Sequence, residues 1–228
     1  MARGLRDLGA RRGMARPTVQ CPWRKARKAR HLRAIWNVFD RRRSDEVACF
    51  EDEVDIHLNP RIGRDWMLRG RQKLVLTPGQ NRKRCLAGAL DVNGRDLVFV
   101  SSAPKNSDLF PALLEKLRTH HPRARRIHLV LDNYGIHSSR RVRAYLAEHG
   151  PLFRLHFLPP YSPEHNAIER LWCEVHANVT RNVTRNHRCK TIEELVRRVA
   201  WHLRRHAARL RRTSHNRENG VRRAKLAA

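Results

Sequence analysis

The predicted elements indicate one α/β domain on a mixed sheet, with three antiparallel strands followed by parallel ones and flanked by helices. Three observations predict it. Two apolar runs are joined through Asn93 and Gly94, which is typical of a β-hairpin. Helical periodicity begins after Ser107, and short apolar strands then alternate with helices. The chain has 228 residues, 40% of them hydrophobic, which is enough for one sizeable core.

The first 45 residues are expected to be a basic extension that contains one amphipathic helix. Leu32, Ile35, Trp36 and Phe39 have the spacing of one apolar helix face. A strand follows over residues 46–58 and runs into acidic residues, and Gly70 marks a turn. The segment "RCLAGALDVNGRDLVFVSS" then supplies the hairpin, so three antiparallel strands precede residue 102.

Alternating helices and strands fill the second half of the chain. A helix carries four leucines at helical spacing, "RIHLVLDN" is a strand buried on both faces, and Ser139 and Gly150 bound the next helix. "LFRLHFLPP" is the last strand, and a helix over 167–178 follows it. A terminal helix opens with the capping box Thr191-x-x-Glu194. This is the element order of the ribonuclease-H-like fold, expected over residues 46–212 with a basic tail over 213–228.

The charge indicates a polyanionic partner. Lys and Arg number 49 against 21 Asp and Glu, a formal net charge of +28, which favours nucleic acid over a membrane surface. Five cysteines without a CxxC pair fit a reducing compartment, and no apolar run reaches membrane-spanning length. We therefore expect a cytoplasmic, nucleoid-associated protein. The candidates for DNA contact are Arg24, Lys25, Arg27, Lys28, Arg41, Arg42 and Arg43.

Three carboxylates are predicted to meet at one edge of the sheet. Asp52 is expected at or near the end of the first strand, Asp132 ends "IHLVLD", and Glu169 lies in the first turn of the helix after the last strand. Side chains at the carboxyl ends of neighbouring strands converge on one crevice. Three carboxylates this close repel one another unless a cation lies between them. Hard oxygen ligands suit Mg²⁺ or Mn²⁺. Two such ions about 4 Å apart can act on the attacking and the leaving oxygen of a phosphodiester.

Each acid also has a plainer interpretation. Asp132 could start a turn, and Glu169 could take part in a helix cap. Asp52 lies between Glu51 and Glu53 in a cluster of the kind that is usually a solvated edge, and strand alternation lets only one set face the site. Glu164 follows a proline in a loop, so Glu169 on its helix is the better ligand candidate.

The motifs together resemble the mariner superfamily of DDE transposases, in its bacterial insertion-sequence branch. The three blocks are "FEDEVDIHLNPRIGRDWMLRG", "LVLDNYGIHSS" and "FLPPYSPEHNAIERLW", and their joint match covers most of the chain. The positions that match the family pattern are Asp52, Glu53, Trp66, Gly70, Asp132, Asn133, His137, Pro159, Tyr161, Ser162, Pro163, Asn166, Ile168, Glu169 and Trp172.

The resemblance implies Asp52, Asp132 and Glu169 as the catalytic and metal-binding triad. It implies Mg²⁺- or Mn²⁺-dependent cleavage and strand transfer of DNA by a homodimer on paired transposon ends, acting on target DNA. The supporting residues would be Glu53, Asn133, His137 and Asn166, either positioning reactants or tying down a loop. Family members carry an N-terminal helix-turn-helix region, which we expect this chain to lack. A tandem "VTRNVTRN" lies at 179–186, so a degenerating copy is one expectation.

Two other functions stay open at this point. The chain could be a non-transposing remnant that only binds DNA through its basic surface, or a cellular ribonuclease-H-type nuclease. Trp66 and Trp172 could stack on a flipped base, but core packing is the expected role of both. Tyr161 with its neighbouring prolines is expected to shape the approach to the helix.

Overall fold

Five strands form one mixed sheet in the order β3-β2-β1-β4-β5. The computed structural model describes residues 19–60, 62, 66–93, 95–102, 108–175 and 188–226, with side chains of the last helix as far as residue 212. The strands are β1 (Glu46–His57), β2 (Lys83–Asp91), β3 (Leu97–Ser102), β4 (Arg126–Leu131) and β5 (Phe153–Phe157). The first three pair antiparallel, whereas β4 pairs parallel to both β1 and β5. The predicted α/β mixed sheet is confirmed.

Helices cover both faces of this sheet. They are α1 (Lys25–Asp40), α2 (Leu109–His120), α3 (Arg140–His149), α4 (Ile168–Glu174) and α5 (Ile192–Leu226), with 3₁₀ turns at Gly135–Ser138 and Pro163–His165. The helix predicted over 167–178 ends earlier as α4, and the tandem repeat at 179–186 lies outside the described residues, as does Gly94 of the hairpin. The helix α5 continues past residue 212, where the sequence placed the start of a tail.

Two apolar layers hold the helices to the sheet. One contains Phe50 and Val54 of β1 with residues of α1, α4 and α5. The other contains Cys49 of β1 with the leucines of α2 and Val142 of α3. Because successive strand residues point to opposite faces, Asp52 shares the α4 face with Phe50, and Glu51 shares the α2 face with Cys49. This alternation decides which carboxylates of β1 can meet α4.

The ends of the helices follow their sequence signals. The Ser139 hydroxyl accepts from the Val142 N–H (3.3 Å) and caps α3. At α5 the Glu194 N–H donates to the Thr191 hydroxyl (3.2 Å), while the Lys190 N–H donates to the Glu194 carboxylate (3.1 Å). The apolar stripe of α5 is fully buried: Ile192, Leu195, Val199 and Leu203.

Two expectations about the core and the strand differ from the structure. Trp172 is 3% exposed, as expected, but Trp66 is 97% exposed, so its predicted core role is wrong. Asp52 lies inside β1, not at its end, because antiparallel pairing with β2 continues to His57. The parallel pairing with β4 stops at Phe50, however, so Asp52 still lies just beyond the edge where the two parallel strands part. No helix in the described ranges is long and apolar enough to cross a membrane.

Candidate active site

Asp52, Asp132 and Glu169 line one cavity of about 460 Å³. Asp52 comes from β1, Asp132 directly follows β4, and Glu169 lies in the first turn of α4. The side chain of Asp132 is 56% exposed, whereas Asp52 and Glu169 are half-buried. Three segments that are distant in the sequence therefore bring three carboxylates to one opening at the sheet edge.

Burial and neighbouring carboxylates raise the proton affinity of Asp52 and Glu169. Burial, followed by the negative charge of Glu169, raises the pKa of Asp52 from 3.8 to about 7. Burial and the charge of Asp132 likewise raise the pKa of Glu169. Raised pKa values mean that the ionised forms of Asp52 and Glu169 are disfavoured, and a nearby positive charge would stabilise them. Hard oxygen donors arranged in this way fit a divalent cation such as Mg²⁺ or Mn²⁺.

A glycine in the middle of β2 sets how closely α4 approaches. Gly88 pairs directly with Asp52, so the two residues share a face of the sheet. A Cβ atom at Gly88 would lie 2.9 Å from the ring of Trp172 and 3.2 Å from Ile168 Cδ1. The missing side chain lets α4 rest against the sheet, and this contact places Glu169 beside Asp52. A glycine inside an apolar strand is a sequence signal for such an approach, and the sequence reasoning missed it.

The opposite face of β1 carries a second group of polar residues. Glu51, Glu53 and His137 each offer a ligand atom within 4.8 Å of the other two. Glu51 is 0% exposed, so the expectation that the acids beside Asp52 form a solvated edge is wrong for it. His137 Nε2 lies 3.7 Å from Glu51 Oε2 and 3.4 Å from Asp132 Oδ1. A buried imidazole therefore lies between the buried Glu51 carboxylate and the exposed Asp132 carboxylate of the cavity.

Asn133 and Asn166 fix the loops around the cavity. The Asn133 side-chain amide donates to the Leu158 carbonyl (2.5 Å), which holds the loop after β5. The buried Asn166 amide donates to the Glu51 carbonyl (2.8 Å) and ties the start of α4 to β1. Asp132 also starts a turn, because one of its oxygens accepts from the Tyr134 N–H (2.8 Å).

The basic candidates on and after α1 divide into two groups. Lys28 forms an ion pair with Glu164 (2.6 Å). This ion pair holds the Glu164 carboxylate away from Asp52, Asp132 and Glu169. Arg42 donates to the Phe39 carbonyl (2.6 Å) and is half-buried. The exposed ones are Arg24, Lys25, Arg27, Arg41 and Arg43.

Comparison with known proteins identifies the family. A family model described as "DDE superfamily endonuclease" matches residues 47–197. The chain belongs to this family. It is also similar to the protein described as "Insertion element IS630 uncharacterized 39 kDa protein" of Shigella sonnei, with 43% identity over 192 residues, which is 80% of this chain and 54% of that protein. The chain thus spans about half the length of this curated relative. The family predicted from the three motifs is confirmed.

Solved structures share the fold of this DDE domain. The Mos1 transposase paired-end complex with left transposon end superposes with a TM-score of 0.63 at 15% identity, covering 92% of this chain and 66% of that one. The catalytic domain of Mos1 mariner transposase gives a TM-score of 0.51 at 13% identity, covering 86% and 97% of the two chains. The ribonuclease-H-like architecture is thereby confirmed.

Proposed function

We propose that this DDE domain cleaves DNA strands and transfers them to target DNA during transposition. The observation that carries the proposal is the single cavity shared by Asp52, Asp132 and Glu169. In the first step water adds to phosphorus and the bond to the departing 3′ oxygen breaks, which leaves a 3′-hydroxyl and a 5′-phosphate. In the second step that 3′ oxygen adds to a target phosphorus and displaces a target 3′ oxygen.

The same three residues would hold Mg²⁺ or Mn²⁺, with two ions expected. The raised pKa values of Asp52 and Glu169 support this assignment, because their carboxylates need positive charge to stay ionised together. When bound, such ions supply a Lewis acid for the attacking oxygen and balance charge on the leaving one. Mos1 mariner paired-end complexes have been solved with Mn and with Mg, which agrees with this choice.

The remaining polar residues are proposed to position the triad. His137 would orient Asp132 through its Nε2 atom, and the buried Glu51 carboxylate near the same nitrogen would restrict the position of the imidazole ring. Asn133 would hold the loop after β5 next to Asp132, and Asn166 would hold the start of α4 against β1. Glu53 would add negative charge next to Asp52 on β1, and this charge contributes to the raised pKa of Asp52.

The proposed partner is DNA, as transposon ends and as target. The net charge of +28 and the exposed basic residues on and after α1 support affinity for phosphates. The paired-end complexes of Mos1 support two copies of the chain acting on two ends. Residues 46–212 would act as the catalytic unit, and the basic segments 1–45 and 213–228 would add contacts to the DNA backbone.

The deciding experiment is metal-dependent nicking of a supercoiled plasmid. Wild-type protein should nick it in Mg²⁺ or Mn²⁺ and not in EDTA, and Asp132→Asn should abolish nicking while it still binds DNA. Asp55→Asn is a matched control, because Asp55 lies on the same strand and pairs with Lys83 (3.3 Å). Equal nicking by wild type and Asp132→Asn would contradict the proposal. DNA binding with no nicking in either metal would favour the alternative, a chain that only binds DNA.

A further inference from the structure

Tyr161 has a backbone conformation that tyrosine rarely adopts. Its φ is +51°, and among the described residues it is the only one other than glycine with a positive φ. Glycine and asparagine tolerate this region far better than a bulky side chain does. Residues held in such conformations cluster at sites where their side chains are used. The positive φ of Tyr161 therefore favours a functional role for its ring over a role in the local turn alone.

The loop around Tyr161 is held firmly while its ring stays open to solvent. The Ser162 hydroxyl donates to the Pro160 carbonyl (3.2 Å), and the His165 N–H donates to the Ser162 carbonyl (3.1 Å). Prolines precede and follow this segment and restrict its backbone further. Tyr161 itself is 61% exposed. A rigid loop that presents an exposed aromatic ring is suited to contact with a ligand.

The cavity that Tyr161 lines has two kinds of surface. The triad carboxylates supply one kind, which suits a phosphate held through divalent cations. The other kind is apolar and is contributed by Tyr134, Leu158, Pro159, Pro160 and Tyr161. A volume of about 460 Å³ lies in the range of pockets that take small organic groups. In DNA, the group of each nucleotide that would fit an apolar, aromatic surface near the phosphate is the nucleobase, which the deoxyribose carries.

We propose that Tyr161 stacks on the nucleobase next to the phosphate that enters the triad. This rests on the proposed function and adds a base-binding surface to it, beyond the expected role of Tyr161 in shaping the approach to α4. Because every base has a π-face, such stacking would be tolerant of sequence. It would hold the nucleotide in place while the carboxylates and their cations engage the phosphate. The base would have to leave its helical stack, so DNA with unpaired nucleotides should bind best.

The test uses the full chain and a DNA duplex with a short single-stranded gap. The gap carries 2-aminopurine at one position, varied along a set of probes, and a dye at a distant end reports binding by anisotropy. Ca²⁺ replaces Mg²⁺ so that binding is measured apart from cleavage. Wild type and Tyr161→Phe should quench 2-aminopurine at one gap position. Tyr161→Gly should bind about tenfold more weakly and without quenching.

Two controls separate stacking from folding. Tyr161→Gly relieves the positive φ, so its unfolding temperature should equal or exceed that of wild type. Trp201→Ala removes another exposed aromatic, 57% exposed on α5 and outside this cavity, and should leave the quenching unchanged. Quenching by Tyr161→Gly equal to wild type, or wild-type binding without quenching at any gap position, would overturn the proposal. The plasmid assay tests the proposed function separately, since nicking that persists while quenching is absent would overturn the stacking role alone.

Discussion

Removing one carboxylate of the triad should stabilise the metal-free protein. Asp52 has a pKa raised from 3.8 to about 7, chiefly by burial and then by Glu169, so folding favours its protonated form. The difference in pKa corresponds to about 4 kcal/mol as an upper limit. This contribution is fully present below the unfolded pKa of 3.8 and is lost as pH rises through about 7.

The substitution Asp52→Asn removes this dependence on pH. Between about pH 5 and about pH 8.5, wild type should lose about 3 kcal/mol of stability through Asp52 that the variant keeps. For a chain of this size, this change between the two pH values corresponds to roughly 6–12 °C in the difference between the unfolding temperatures of variant and wild type. Mg²⁺ should restore much of the loss in wild type and do little for the variant, because a cation stabilises the ionised carboxylates.

Thermal unfolding in EDTA and in millimolar Mg²⁺, at both pH values, measures each quantity. Asp55→Asn controls for the loss of any acid from β1, because Asp55 is paired with Lys83. The reasoning would be refuted if Asp52→Asn were less stable than wild type at the higher pH in EDTA. It would also be refuted if Mg²⁺ stabilised the variant as much as wild type.

Two further substitutions test how the triad is positioned. His137→Gln should raise the Mg²⁺ concentration for half-maximal nicking about tenfold or more, because residues behind a metal ligand tune its affinity, and an unchanged requirement would contradict the contact with Asp132. Gly88→Ala should cost about 1–3 kcal/mol of stability by pressing its methyl group on Trp172 and should slow nicking at saturating metal. Gly135→Ala, which meets no atom within 4 Å, should change stability by less than about 0.5 kcal/mol. If Gly88→Ala proves as stable and active as Gly135→Ala, the close approach of α4 does not position the site.

The sequence predicted the order of elements because periodicity and caps are local signals. The apolar stripe of α5 and the Ser139 cap of α3 both match the structure. The extent of β1 was not predictable in this way, since its second half is set by pairing with β2, a partner about 30 residues further along the chain. Trp66 was assigned to the core by residue type alone, and its exposure reflects tertiary context that residue type does not contain.

The residues of the candidate site that belong to sequence motifs were predictable, whereas those brought together only by tertiary packing were not. Asp132 was predictable from a strand end and all three acids from the family pattern, and the structure brings Asp52, Asp132 and Glu169 to one cavity. The contact of Glu51 with His137 links β1 to a 3₁₀ turn and has no local signal in either segment. The approach of α4 depends likewise on a glycine of another strand.

The most direct test of the central claim is a crystal structure of the full chain soaked in Mn²⁺, with anomalous scattering measured at the manganese edge. The account predicts manganese peaks in the triad cavity, each within about 2.2 Å of carboxylate oxygens from Asp52, Asp132 or Glu169. No peak in that cavity, with Mn²⁺ bound instead by Glu51, Glu53 and His137, would contradict it.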